Sequence, residues 1–151
     1  MPELRELYHQ VIIDHGKRPR NFHKMPGATH HAEGFNPLCG DRVDLYLMIV
    51  DGTIRDISFE GVGCAISTAA TSMMTGAVKG RTIDEARRLF DSFHCMVTGN
   101  ETATAADAAG LGKLSVFSGV REYPARIKCA ILGWHTMISA LEGKHALATT
   151  E

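Results

Sequence analysis

The 151-residue chain has a formal charge of −1 and is 44% hydrophobic and 22% charged, the proportions of an ordinary soluble globular protein. So even a balance gives no general pull toward nucleic acid or an anionic membrane, and neither is expected as a partner. The length predicts one domain, residues 1–151, able to fold without a covalent staple.

Leu4, Leu7, Tyr8, Val11 and Ile12 recur at helical spacing, and Gly16 supplies a stop, so the chain is expected to open with an amphipathic helix. Glu3, Arg5 and Glu6 stand where a signal peptide would need an apolar run. The most apolar stretch, Cys129 to Leu141, is too short to span a bilayer and contains His135. A cytoplasmic location is the resulting expectation. Thiols stay reduced there, so the four cysteines read as metal-binding or catalytic before they read as disulfides.

From Lys17 to Gly34 the periodicity is lost. Pro19, Pro26, Gly27 and Gly34, with Lys17, Arg18 and Arg20, predict a loop with room for one short strand. Val43, Leu45, Leu47 and Ile49 then alternate with Asp44, Tyr46, Met48 and Val50, the period of a strand. Asp51-Gly52 is a hairpin signal, and Thr53 to Glu60 supplies the returning strand. Ala65 to Lys79 has a helical face and is closed by Gly80. Thr82-Ile-Asp-Glu85 is a capping box that opens a helix to about Val97. Gly99 to Gly112 shows no face and is expected as a surface loop or short helix. Pro124 suits the first turn of a last helix with Ile127, Ile131, Trp134, Ile138 and Leu141 inward. Helix, strands, then helices predict an α+β fold, a small antiparallel sheet packed against helices.

Chemistry concentrates in Cys39 and Asp41, in Cys64, and in Cys129. Thiolates and a carboxylate are ligands for zinc or iron–sulfur centres, and thiolates are also nucleophiles. Cys39 and Asp41 lie two apart, and in an extended segment both side chains project to one side. Gly40 between them permits close approach or a left-handed backbone. Cys64 falls at a strand-to-helix junction, where free N–H groups favour a thiolate. Arg126 precedes Cys129 by one helical turn, placed to balance an anionic site of about −2 if a divalent ion joins the four ligands. On residues alone a second reading stays open, that the cysteines are small buried hydrophobes.

Other polar residues read more plainly. Cys95 is expected to pack on its helix, and the adjacent His94 points about 100° away from it. His30-His31 reads as a solvated pair or one opposed across a strand, and His135 as a core histidine. Met73-Met74 reads as core filling. Lys17, Arg18 and Arg20 form a weak basic patch, solvated or docked on an acidic partner.

The segments Asn36-Pro-Leu-Cys-Gly-Asp41, Phe59-Glu-Gly-Val-Gly-Cys-Ala-Ile-Ser67, Lys79-Gly-Arg-Thr-Ile-Asp-Glu-Ala86 and Tyr123-Pro-Ala-Arg-Ile-Lys-Cys-Ala130 together resemble the U-type iron–sulfur assembly proteins, the IscU/NifU-N-like superfamily, and most closely its SufU branch. The resemblance spans nearly the whole chain. Lys128 stands where the IscU branch has a histidine, the Leu-Pro-Pro-Val-Lys chaperone motif is missing, and the Gly99–Gly112 region lengthens the chain before the last cysteine, as in SufU-like members. The resemblance implies one zinc ion held by Cys39, Asp41, Cys64 and Cys129, and a SufS-type cysteine desulfurase as partner. It further implies that a desulfurase histidine displaces one thiolate, that Cys39 is the sulfur acceptor with Arg126 as a supporting cation, and that sulfur passes to downstream iron–sulfur assembly machinery. Two alternatives stand beside this reading. One is a scaffold that binds a 2Fe–2S cluster, or iron transiently, on the same cysteines; the other is a non-catalytic module stabilised by zinc.

Overall fold

A computed structural model describes residues 2–98, 111–143 and 148–149. Helix α1 (Pro2–Lys17) leads to strands β1 (His30–Asn36), β2 (Asp41–Val50) and β3 (Thr53–Val62). Helices α2 (Ala65–Val78) and α3 (Ile83–Thr98) follow, then a 3-10 helix (Gly112–Glu122), helix α4 (Pro124–Leu141) and a two-residue strand β4 (Ala148–Thr149). The sheet has the order β3-β2-β1-β4. Its first three strands are antiparallel neighbours, and β4 pairs parallel to β1. Helix α4 packs across β1 and β2, and α2 packs on both α4 and α1. The α+β class read from the order of elements is the fold observed. Among the described residues no helix is long and apolar enough to cross a membrane.

The predicted hairpin forms as expected. Asp51 and Gly52 both take positive φ, 52° and 74°, the two-residue turn whose twist suits the flanking strands. On β2 the buried positions are Asp41, Val43, Leu45 and Leu47, so the period-2 face that builds the core begins with a carboxylate. The one short strand expected within the Lys17–Gly34 loop forms as β1, longer than expected. It is seven residues long, pairs with β2 along its whole length, and extends to Asn36. Its buried positions are Ala32, Gly34 and Asn36. Small and polar residues face inward there, so no apolar alternation marks the strand in the sequence.

Helix α1 runs one residue past the predicted stop at Gly16. It is tied to α2 through Ser72 Oγ, which lies 2.7 Å from His15 Nδ1 and accepts the Arg20 backbone N–H at 2.8 Å. The capping box is complete: Glu85 N–H donates to Thr82 Oγ1 and Thr82 N–H donates to Glu85 Oε1, each at 3.1 Å. Pro124 occupies the first turn of α4 as predicted. Ile131, Trp134 and Leu141 are buried, with Ile127 and Ile138 packed beside them. Trp134 stacks on Phe93 with centroids 4.8 Å apart, and Phe93 meets Phe117 edge-on. Burying each such side chain contributes roughly 1.5–3 kcal/mol.

The 3-10 helix is an element the sequence reading lacks. Leu111, Leu114, Phe117 and Val120 are all buried, spaced by three. In a 3-10 helix, i and i+3 eclipse on one face, so this period-3 stripe gives the segment a reason to persist for 11 residues. Of the region expected as a surface loop or short helix, residues 99–110 lie outside the described residues.

Candidate metal centre

Four elements deliver the four predicted ligands. Asn36 ends β1 and pairs with Asp41 at the start of β2, so residues 37–40 form a tight hairpin loop with Cys39 in it. Gly40 takes φ +72° to close this loop, a left-handed conformation that suits glycine. The extended geometry expected for residues 39–41 is therefore not what brings the two side chains together. The turn does so, placing Cys39 exposed at the tip while Asp41, only 1% exposed, points into the core.

Cys64 caps α2. Its Sγ accepts the Ser67 N–H at 3.4 Å, so the free donors of the helix start face the sulfur as the junction predicted. Its backbone N–H donates to Asp41 Oδ1 at 2.8 Å, and its Sγ lies 4.0 Å from Asp41 Oδ2. Gly63 permits this approach, because a Cβ there would stand 2.9 Å from Asp41 Oδ1. Cys129, in the second turn of α4, has no exposure, and its Sγ lies 3.5 Å from that of Cys39.

The ligand atoms of Cys39, Asp41 and Cys129 all lie within 4.8 Å of one another, and Cys64 stands beside them through Asp41. Three sulfurs and a carboxylate oxygen are donors that zinc accepts. A tetrahedral ion with sulfurs at about 2.3 Å holds those sulfurs about 3.8 Å apart, close to the Cys39–Cys129 separation. Cys39, Asp41 and Cys129 fit such an ion, and Cys64 Sγ, 4.0 Å from Asp41 Oδ2, stands just outside that group of three.

Burial pushes the Cys129 thiol well above its ordinary range, reinforced by hydrogen bonds with Cys39 and Cys64 and by charge on Cys64. Without a cation, the centre keeps its deepest sulfur protonated. Arg126, exposed at the start of α4, has its pKa raised by the neighbouring sulfurs of Cys129, Cys64 and Cys39.

Asn36 is the residue that sequence reasoning passed over. It is fully buried, and its Nδ2 donates to Asp41 Oδ2 at 3.2 Å and to Cys129 Sγ at 3.5 Å. The signal available was an asparagine just before a proline and three residues before a cysteine, a common turn pattern.

The remaining candidates lie apart from the centre. Cys95 is half-buried on α3; the adjacent His94 ring packs near Phe90 and His135. Met73 and Met74 are core. His31 stacks on Tyr46 at 4.7 Å and lies 3.4 Å from Asp44 on the exposed strand face. Arg20 pairs with Asp14 at 2.6 Å.

Leu38, Val62 and Tyr123 are 61%, 69% and 61% exposed, one beside each cysteine-bearing segment. A groove of about 650 Å³ runs from His9 and Ile12 past Ile66 to Tyr123 and Arg126.

A family model described as the NifU-like N-terminal domain matches residues 7–130. A Bacillus subtilis protein named zinc-dependent sulfurtransferase SufU is 41% identical over 134 residues, which cover 89% of this chain and 88% of that protein. A Streptococcus pyogenes protein named iron–sulfur cluster assembly scaffold protein IscU is 39% identical over 142 residues, 94% of this chain and 87% of that one. Among solved structures, FiSufU of Fervidobacterium islandicum superposes with a TM-score of 0.83 at 36% identity, covering 91% of this chain and 98% of that one. An N-terminal NifU-like protein of Brucella abortus gives 0.80 at 25% identity, covering 93% and 95%.

Proposed function

The chain belongs to the NifU-like N-terminal domain family, and from that premise we propose that it works in iron–sulfur cluster assembly as a zinc-dependent sulfur acceptor. Its donor is a cysteine desulfurase of the SufS type, and it hands the sulfur on to cluster-building machinery. The observation that carries this reading is the asymmetry of the ligand set: Asp41 and Cys129 are buried, whereas Cys39 stands exposed 3.5 Å from Cys129.

When bound, zinc would keep thiols ionised near neutral pH. Cys39, as the accessible thiolate, attacks the outer sulfur of the desulfurase persulfide. A sulfur–sulfur bond forms at Cys39, the donor's sulfur–sulfur bond breaks, and the electron pair leaves on the donor cysteine as its thiolate. No net oxidation occurs. Asp41, held by Cys64 N–H and Asn36, keeps its place while Cys39 is away. Arg126 steadies the negative charge on the sulfurs. Leu38, next to Cys39 in the loop, and Val62 and Tyr123, each near a cysteine-bearing segment, are exposed apolar side chains on which the donor docks.

A scaffold that builds a 2Fe–2S cluster on the same donors is the second reading, supported by the name of the Streptococcus relative. Desulfurase turnover with this protein, measured alongside its metal content, tests both. Colourless protein with one zinc that accelerates turnover is expected. Cys39→Ala, Asp41→Ala, Cys64→Ala and Cys129→Ala should each lose the acceleration, while Cys95→Ala retains it. Brown protein carrying iron and acid-labile sulfide would transfer the assignment to the scaffold. Loss of fold rather than of acceleration in Cys39→Ala would mark the metal as structural.

A further inference from the structure

Asn36 has a role in this centre that ligand geometry alone does not assign. Its carboxamide spends every polar group on the site. The Leu38 N–H donates to Oδ1 at 3.2 Å, which fixes the oxygen on the side of the hairpin loop. The NH₂ end therefore faces the ligands, one proton for Asp41 Oδ2 and one for Cys129 Sγ, at 3.2 and 3.5 Å. The Asn36 main-chain carbonyl accepts Gly40 N–H at 2.8 Å and closes the loop that carries Cys39.

The four ligands thus divide. Asp41 and Cys129 are buried and each accepts a hydrogen bond from Asn36; Asp41 accepts another from Cys64 N–H. Cys39 is exposed, and among the described residues it receives no hydrogen bond from the Asn36 side chain. Donors aimed at anionic ligands orient them and stabilise their charged forms. We propose that Asn36 is a positioning residue that anchors Asp41 and Cys129 as the fixed half of the metal centre, leaving Cys39 as the ligand that detaches. This inference rests on the sulfur-acceptor reading above.

Two substitutions separate the ligand contacts from the loop contact. Asn36→Asp keeps an oxygen for Leu38 N–H and removes both donors to the ligands; Asn36→Ala removes all three side-chain contacts and leaves the main-chain bond to Gly40 N–H. Zinc affinity is measured by competition with a chromophoric chelator, and the order of cysteine alkylation in zinc-loaded protein by peptide mass spectrometry. In the wild type Cys39 should be modified first. Both variants should lose about 10–100-fold in zinc affinity, and Cys129 should become modified alongside Cys39. Metal-free Asn36→Asp should still melt cooperatively, because the loop bond remains.

Affinity within about twofold of wild type, well short of that loss, together with Cys39-first alkylation in both variants overturns the proposal. So does a metal-free Asn36→Asp that fails to fold, since Asn36 would then hold the fold rather than the ligands. A wild-type protein that binds no zinc, or is not modified first at Cys39, instead breaks the sulfur-acceptor reading and takes this inference with it.

Discussion

A methyl group added at Gly63 would meet Asp41 Oδ1 at 2.9 Å and its Cβ and Cγ at 3.3 Å. The carboxylate has little freedom to retreat, because Cys64 N–H and Asn36 hold it from two sides. Gly63→Ala is therefore expected to weaken zinc binding about tenfold or more, as displaced ligand supports do, while the metal-free far-ultraviolet circular dichroism spectrum stays the same. Unchanged affinity by chelator competition would refute the close-approach argument. In the sequence Gly63 is simply the glycine before Cys64. Its contact with a carboxylate from another strand is invisible there, and the same holds for Asn36, whose partners come from β2 and α4.

Helix α3 shows how much an element can owe to four adjacent residues. Thr82 and Glu85 satisfy each other's backbone N–H groups, and backbone and side-chain hydrogen bonds from Thr82 hold the Glu85 carboxyl below its usual range. Thr82→Ala should cost about 1 kcal/mol, the usual loss for a capping hydroxyl, read as a lower urea midpoint with activity retained. A midpoint within error of wild type would show that α3 is held by packing alone. Local chemistry of this kind made α3, the β2–β3 turn and the Pro124 start of α4 readable in advance. β1, expected only as one short strand within a loop, and the 3-10 helix were less readable, for two different reasons. β1 turns small and polar residues inward, and the stripe from Leu111 to Val120 has a period of three, which neither the strand period nor the 3.6-residue period detects.

Across the whole molecule, two half-buried histidines tie stability to pH. Burial lowers His15, assisted by the charges of Arg20 and Lys113, and burial with His94 lowers His135, both from 6.5. Each therefore binds more protons unfolded than folded as the pH falls through this range. Their stabilising effect is complete above pH 6.5 and is lost as pH drops through the lowered folded values. Cys129, pushed upward, stays protonated in this window and adds no slope. The urea midpoint of metal-free protein should fall between about pH 7.5 and about pH 5, and His135→Gln should flatten that fall. An identical slope in the variant would remove His135 from the account. The residue types and their order determined by themselves the hairpin, the capped helices and the α+β class, because these depend on neighbours in the chain. Only the tertiary structure decided which sulfur faces solvent, which ligands are anchored, and that Asn36 belongs to the centre. Burial and hydrogen-bond partners there are set by α4 crossing the ends of β1 and β2, a contact between segments some ninety residues apart that local periodicity cannot encode.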